Sequence, residues 1–185
     1  RRYLLTICRL MIWKQVDRII EALRELPEDV ELIVCGDGPE QDAWEELARS
    51  MGLEGRVHFR GNVAHDLVPL YIRAADIFVL YSRYEGLSHT LIEVQTLGTM
   101  AVASAVCGNP EVVQDGETGR LVPVDDTRAL AMVLGEALQD AEGREALASA
   151  GTAAAGRFSR IQTFSMVEEA LHKAAGEPFS GSLEG

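Results

Sequence analysis

Ile77-Phe78-Val79-Leu80 runs on through Tyr81-Ser82-Arg83-Tyr84-Glu85-Gly86-Leu87-Ser88-His89-Thr90-Leu91-Ile92-Glu93, and the reading of this stretch decides the fold. Four consecutive apolar residues predict a short strand buried on both faces. A loop carrying Gly86 follows. Ser88 can cap a helix that runs to Leu97, with Gly98 just beyond its end. Glu85 then stands at the carboxyl end of a strand, and Glu93 lies about one and a half turns into the next helix. In an open parallel sheet, ligands bind at that edge. The start of a helix also offers unpaired N–H groups and the positive end of a dipole, which suit a phosphate.

The same alternation extends in both directions. Upstream, Tyr3–Cys8 reads as a strand, and Val16, Ile19, Ile20, Leu23 and Leu26 repeat at helical spacing until Pro27. Val30–Cys35 is a second strand closed by Gly36-Asp37-Gly38. Pro39 opens a helix that ends near Gly52, Arg56–Arg60 is a third strand, and Leu67, Leu70, Tyr71 and Ala74 form a helical stripe. Downstream, Met100–Ala103 and Arg120–Val122 are strands, with a helical turn at Pro110–Gln114 between them. From Asp126 onward the chain reads as helical: a stripe through Leu130, Val133, Leu134, Ala137 and Leu138, an Ala-rich stretch over 144–156, and a last segment from Ile161 to Ala175.

Alternating strands and helices with short connections predict an α/β fold. The expected form is a Rossmann-like, doubly wound parallel sheet of about six strands, with helices on both faces and a helical C-terminal tail. Residues 1–176 read as one domain and 177–185 as a flexible tail. The chain starts at Arg1-Arg2-Tyr3, almost inside its first strand, which suggests a fragment of a longer protein.

Composition narrows the function. The chain has 185 residues, enough for one sizeable core. Asp and Glu number 29 against 17 Lys and Arg, a net charge of −12. That balance argues against a nucleic-acid binder, which needs a basic footprint, and against a polybasic membrane anchor. No apolar run approaches the roughly 20 residues that span a bilayer. Cys8, Cys35 and Cys107 are few, odd in number and lack a Cys-x-x-Cys, as expected of reduced thiols in the cytoplasm. The four histidines have no zinc-ligand spacing.

Against this acidic background, Arg9 and Lys14 fall just past the first strand, on the edge that also holds Glu85. Two cations there suit a diphosphate, although an ordinary solvated pair fits the spacing equally. Glu93 suits vicinal hydroxyls such as those of a ribose, and Glu85 a second polyol; two surface glutamates near a helix start are the plainer alternative. A glycosidase pair would need both carboxylates to flank one bond. Gly36-Asp37-Gly38 echoes a dinucleotide fingerprint weakly. Gln41 holds the third glycine's place and the motif lies on the second turn, so an NAD site is rejected, while a close approach of ligand to backbone stays open. Gly108-Asn109-Pro110-Glu111 reads as turn chemistry, or as a loop bringing Asn109 or Glu111 to a ligand.

These runs, taken in order, resemble the C-terminal domain of the family 4 retaining glycosyltransferases of GT-B fold. The matching pieces are Arg9-Leu10 with Lys14 and Val16-Asp17; Gly36-Asp37-Gly38-Pro39; Val57-His58-Phe59-Arg60-Gly61; Ala75-Asp76-Ile77-Phe78-Val79; Tyr84-Glu85-Gly86 through Glu93; and Pro110-Glu111-Val112-Val113 with Asp115-Gly116-Glu117-Thr118-Gly119. The resemblance covers residues 3 to about 165. It implies that Arg9 and Lys14 grip a donor diphosphate beside Gly36, and that Arg60, Gly61, Asn62 and Val63 border the base, largely through backbone atoms. By the same resemblance the N–H groups of Ser88, His89, Thr90 and Leu91 face the phosphates, Glu93 holds the ribose, and Glu85 touches the donor sugar at the reacting carbon.

The implied reaction moves a hexose from a UDP- or GDP-sugar to a glycan or lipid-linked acceptor in polysaccharide biosynthesis. It needs no metal or other cofactor, and none is suggested by an Asp-x-Asp run. An N-terminal, acceptor-binding domain would complete the site and carry any membrane contact. The isolated domain would then transfer sugar poorly, in the cytoplasm or at the inner membrane face. Four places depart from the family pattern. Cys8 and Gln15 stand where glycines are usual, Val94-Gln95-Thr96 replaces Ala-Met-Ala, and Met100 replaces a proline. Bulk at Cys8 and Gln15 would narrow the diphosphate site. That supports an alternative, a non-catalytic nucleotide-binding or interaction module; a nucleotide-sugar epimerase of related fold is a third reading.

Overall fold

The apolar runs become strands β1 (Arg2–Ile7), β2 (Val30–Cys35), β3 (Val57–Phe59), β4 (Ile77–Leu80), β5 (Met100–Ser104) and β6 (Arg120–Val122). Between and after them run helices α1 (Val16–Leu23), α2 (Gln41–Ser50), α3 (Val68–Ala74), α4 (His89–Thr96), α5 (Asn109–Val112), α6 (Thr127–Gln139) and α7 (Ala141–Ala155). A short 3₁₀ turn, Ile12–Lys14, precedes α1. The structure is a computed structural model and describes residues 1–158. The expected helix over 161–175 and tail over 177–185 lie outside the described residues.

All strand pairs are parallel, in the order β3-β2-β1-β4-β5-β6. Successive residues of a strand face opposite sides of the sheet, so a strand with both kinds buried needs helices on both faces. In β1, Leu4 and Leu5 are both buried and belong to different cores. Leu4, Leu32, Val34, Val79 and Val102 pack with Ile19, Ile20 and Leu23 of α1, Trp44 of α2 and Leu134 of α6. Leu5, Phe78, Leu80 and Ala103 pack with Ile72 of α3, Leu91 and Val94 of α4, and Val112 of α5. This is the Rossmann-like sandwich expected of the alternating pattern.

Side-chain caps place the helix starts. Ser88 Oγ accepts the Leu91 N–H at 3.2 Å, as the sequence predicts. Asp126 accepts from Ala129 N at 2.8 Å and Asp140 from Gly143 N at 2.9 Å. Several boundaries differ from the sequence reading. β1 ends at Ile7 and not at Cys8. β3 is only three residues long, and α1 stops at Leu23 and not at Leu26. Residues 24–26 close α1 with tighter bonds, Arg24 N–H to Glu21 O, Glu25 N–H to Ala22 O and Leu26 N–H to Leu23 O, and Pro27 has no N–H to carry the helix further. The Arg56 guanidinium turns back to the carbonyls of Leu23 (3.1 Å), Pro27 (2.8 Å) and Val30 (3.0 Å) and holds the chain reversal after the helix.

Arg56→Ala should leave those carbonyls without their charged donor and lower stability by about 2 kcal/mol in urea unfolding. Arg56→Lys should recover little, because one ammonium cannot span carbonyls on both sides of the turn.

Candidate functional site

β1 and β4 lie side by side, paired at Leu4↔Ile77 and Leu5↔Phe78, yet the helices that follow them belong to opposite faces. Their carboxyl ends therefore part into a crevice, the place where open α/β sheets bind ligands. The loop after β1 is laced to the loop after β2: Cys8 N–H donates to Cys35 O at 3.0 Å, and Leu10 N–H to Asp37 O at 2.7 Å. Gly36 makes this approach possible. Its φ is +121°, and a Cβ there would sit 1.9 Å from the Cys8 carbonyl oxygen. Its own N–H reaches Gly61 O at 2.7 Å, which ties in the loop after β3.

The laced loops floor a cleft of about 400 Å³, lined among others by Cys8, Arg9, Gly36, Asn62, Val63 and Thr90. Asn62 donates to the carboxylate of Asp37. Beside the cleft, Lys14 Nζ and Glu85 Oε2 form an ion pair whose side chains are only 16% and 17% exposed. The pair bridges the loops that carry it, Lys14 in the loop after β1 and Glu85 in the loop after β4. The loop carrying Glu85 is braced from β5: Gly108 N–H donates to Glu85 O at 3.2 Å, and Ser104 Oγ accepts from Ser82 N–H at 3.0 Å.

The expected residues divide as follows. Arg9, Gly36, Asn62 and Thr90 meet in one cleft. Gly61 supplies the carbonyl behind Gly36. Arg60 does not line the cleft; it is exposed and borders a separate hollow between α2 and β3 with Arg49 and His58. The amides from Ser88 to Leu91 are not equivalent. Leu91 N–H is taken by the Ser88 cap, which leaves the His89 and Thr90 amides as the first-turn donors without a helical partner. Glu93 is half-buried on α4. Asn109 is buried and donates to Ser104 O at 3.0 Å, so the Gly108–Glu111 run braces the loops.

Gln15 corrects the expectation that its bulk narrows the diphosphate site. It is 3% exposed, its Nε2 donates to Asp125 Oδ1 at 2.8 Å, and it does not line the cleft. Cys8 does line it. Burial pushes the Cys8 and Cys35 thiols up to about 11, with Lys14 and Arg60 respectively opposing it, so both are protonated at neutral pH and are poor nucleophiles. Sequence reading missed Arg83, Asp125 and the 3₁₀ turn, whose Trp13 carbonyl accepts the Arg83 N–H at 2.8 Å. Nothing in composition or spacing marks contacts between residues 110 positions apart, as Gln15 and Asp125 are.

Among the described residues, no three His, Cys, Asp or Glu side chains gather where they could hold a metal ion. No described helix is long and apolar enough to cross a membrane. Lys14, Glu85 and Glu93 do not themselves line the cleft. A cleft lined by Arg9 and by the first turn of α4 can hold an anion.

Comparison with known proteins agrees with this architecture. Residues 1–154 match the family described as glycosyl transferases group 1, and the chain belongs to that family. Its fold is the Rossmann-like unit of the GT-B glycosyltransferases. The chain is 34% identical over 151 residues to an alpha-D-kanosaminyltransferase of Streptomyces kanamyceticus, covering 80% of this chain and 39% of that protein. It superposes with a TM-score of 0.87 on Anabaena HepE solved in complex with UDP, at 28% identity, covering 92% of this chain and 48% of that one. It also matches the C-terminal domain of the Francisella tularensis group 1 protein LpcC, at a TM-score of 0.74 and 25% identity, covering 82% and 83%. The chain thus spans less than half the length of the kanosaminyltransferase and of HepE.

Two outcomes follow for the thiols. Iodoacetamide at pH 7.5 should label exposed Cys107 well before Cys8 and Cys35, as peptide mass mapping would report. Because the folded Cys8 and Cys35 hold their protons up to about 11, the unfolded chain loses protons first as pH rises. Stability should therefore be unaffected by these thiols below about pH 8.5 and fall between there and about pH 11 in urea titrations.

Proposed function

We propose that this chain is the donor-binding half of a retaining hexosyltransferase that uses a UDP- or GDP-sugar. The observation that carries the reading is the meeting of Arg9, Gly36, Asn62 and Thr90 in one cleft beside the Lys14–Glu85 pair. Membership of the group 1 family and the likeness to a UDP-bound neighbour support it. In this reading Arg9 and Lys14 hold the diphosphate together with the His89 and Thr90 amides. Gly61 and Asn62 border the base, Glu93 holds the ribose, and Glu85 meets the donor sugar at the reacting carbon. Arg60 enters the base site at most through its backbone.

The step breaks the bond between the anomeric carbon and the diphosphate oxygen, which keeps both electrons, and joins that carbon to an acceptor hydroxyl oxygen whose proton passes to the departing phosphate. Negative charge grows on the departing phosphate, and fixed cations and helix-start amides stabilise it more than they stabilise the intact donor. No metal is required in this scheme, because the chain's own donors oppose that charge. Before the donor arrives, Lys14 is matched by Glu85. Diphosphate competes for Lys14, and Glu85 is then released toward the sugar hydroxyls. The acceptor, a glycan or lipid-linked sugar, is taken by a second domain, and the reaction takes place in the cytoplasm or at the inner membrane face. Without that domain the cleft has no acceptor side, so the chain alone binds donor but transfers sugar poorly.

Calorimetric titration with UDP, GDP and ADP tests the donor site. One of the three should bind, and Lys14→Ala and Glu93→Ala should each weaken it by about tenfold, the loss of one charge-assisted contact. Absence of binding at millimolar nucleotide would overturn the reading. Efficient sugar transfer by the chain alone would overturn the division of labour between two domains.

A further inference from the structure

Gln15 and Asp125 hold left-handed backbone angles, φ 47° and 59°, that side-chain-bearing residues seldom adopt. They face each other. Gln15 Nε2 donates to Asp125 Oδ1 at 2.8 Å, and the same oxygen accepts from Arg83 Nη2 at 2.9 Å and Nε at 3.2 Å. Arg83 closes the ring through its backbone, whose N–H donates to Trp13 O at 2.8 Å. Three loops, those after β1, β4 and β6, are thereby joined at one carboxylate oxygen.

The ring is built on the two loops that carry the Lys14–Glu85 pair. Lys14 lies between Trp13 and Gln15, and Glu85 is two residues beyond Arg83. The anchor at Asp125 is firm. Tyr81, which directly follows β4 and is 1% exposed, donates to Pro123 O at 2.6 Å and accepts from Asp126 N–H at 2.9 Å. The Gln15 amide is used for its donor alone, since its Oε1 is buried without a partner. Arg83 first and Gln15 second hold the Asp125 carboxyl below the ordinary range, so the acceptor stays charged through neutral pH. Unusual backbone angles persist where surrounding contacts over-determine them, and such places concentrate at functional sites. Glycine would take the angle at position 15 without strain; glutamine takes it and gains a hold on the β6 loop.

We propose that Gln15, Asp125 and Arg83 form a clamp that sets the separation of the β1 and β4 loops and so presents Lys14 and Glu85 together at the cleft. They are positioning residues, and the inference rests on the donor-site reading above only for its effect on nucleotide binding. The clamp predicts that Lys14 reaches a diphosphate with correct geometry only while the Asp125 oxygen is in place.

The test uses Asp125→Ala and Gln15→Gly, the second of which keeps the left-handed backbone and removes only the hold. Each should weaken binding of the preferred nucleotide diphosphate by about fivefold, the worth of one hydrogen bond. The double variant should be little worse than either single one, because both break the same ring. Asp125→Asn, which keeps an acceptor oxygen, should recover part of the affinity. Amide hydrogen exchange should quicken in residues 9–15 and 83–88 of both single variants, with the core strands unchanged. Wild-type affinity in Gln15→Gly, or unchanged exchange in both loops, would overturn the clamp. If the wild-type chain bound no nucleotide, the donor-site reading would fall, and the exchange measurement alone would decide the clamp.

Discussion

The double burial of β1 and β4 is the constraint on which the rest depends. Neighbouring residues of each strand, Leu4 with Leu5 and Phe78 with Val79, are removed from water on opposite faces. Burying such side chains is worth roughly 1.5–3 kcal/mol each, so neither face can be left bare. One face is covered by α1 and the other by α4, and the crevice opens where the two crossovers part. The site is a consequence of how the core is covered, and side chains placed later in the loops exploit it.

Electrostatics then act on that geometry. The chain is acidic overall, yet Arg9 and Lys14 both fall in the loop after β1. Lys14 is matched by Glu85 in a mostly buried pair. Breaking such a pair by removing one partner leaves an uncompensated charge, whereas a ligand that brings its own charges can exchange with it. Backbone lacing through Gly36 fixes the floor beside this pair.

Much of this was legible in advance. The four central strands β2, β1, β4 and β5 announced themselves as short, largely apolar runs, and Ser88 capped α4 as its chemistry suggests. The places of Glu85, Glu93, Arg9 and Lys14 at the carboxyl edge followed from strand ends and helix starts. The direction of the Arg60 side chain was not legible, because a loop residue's side chain turns toward whichever neighbour receives it, here the α2 side. The end of α1 at Leu23 was equally hidden, since its last residues tighten to bonds three positions back and the Leu23 carbonyl is shared with Arg56, more than thirty residues on. Gln15 was misjudged for the same kind of reason. Its size was visible, but its direction was set by a carboxylate brought from beyond β6.

The sequence by itself determined the alternation of elements, the family, and which charged residues stand near the binding edge. Those properties are local: hydrophobic period, caps, turns, and residue order along one chain. Tertiary structure alone decided that Lys14 meets Glu85 and that Gln15, Arg83 and Asp125 share one oxygen. Each of these depends on the distance between separate loops, and that distance exists only once both faces of the sheet are covered.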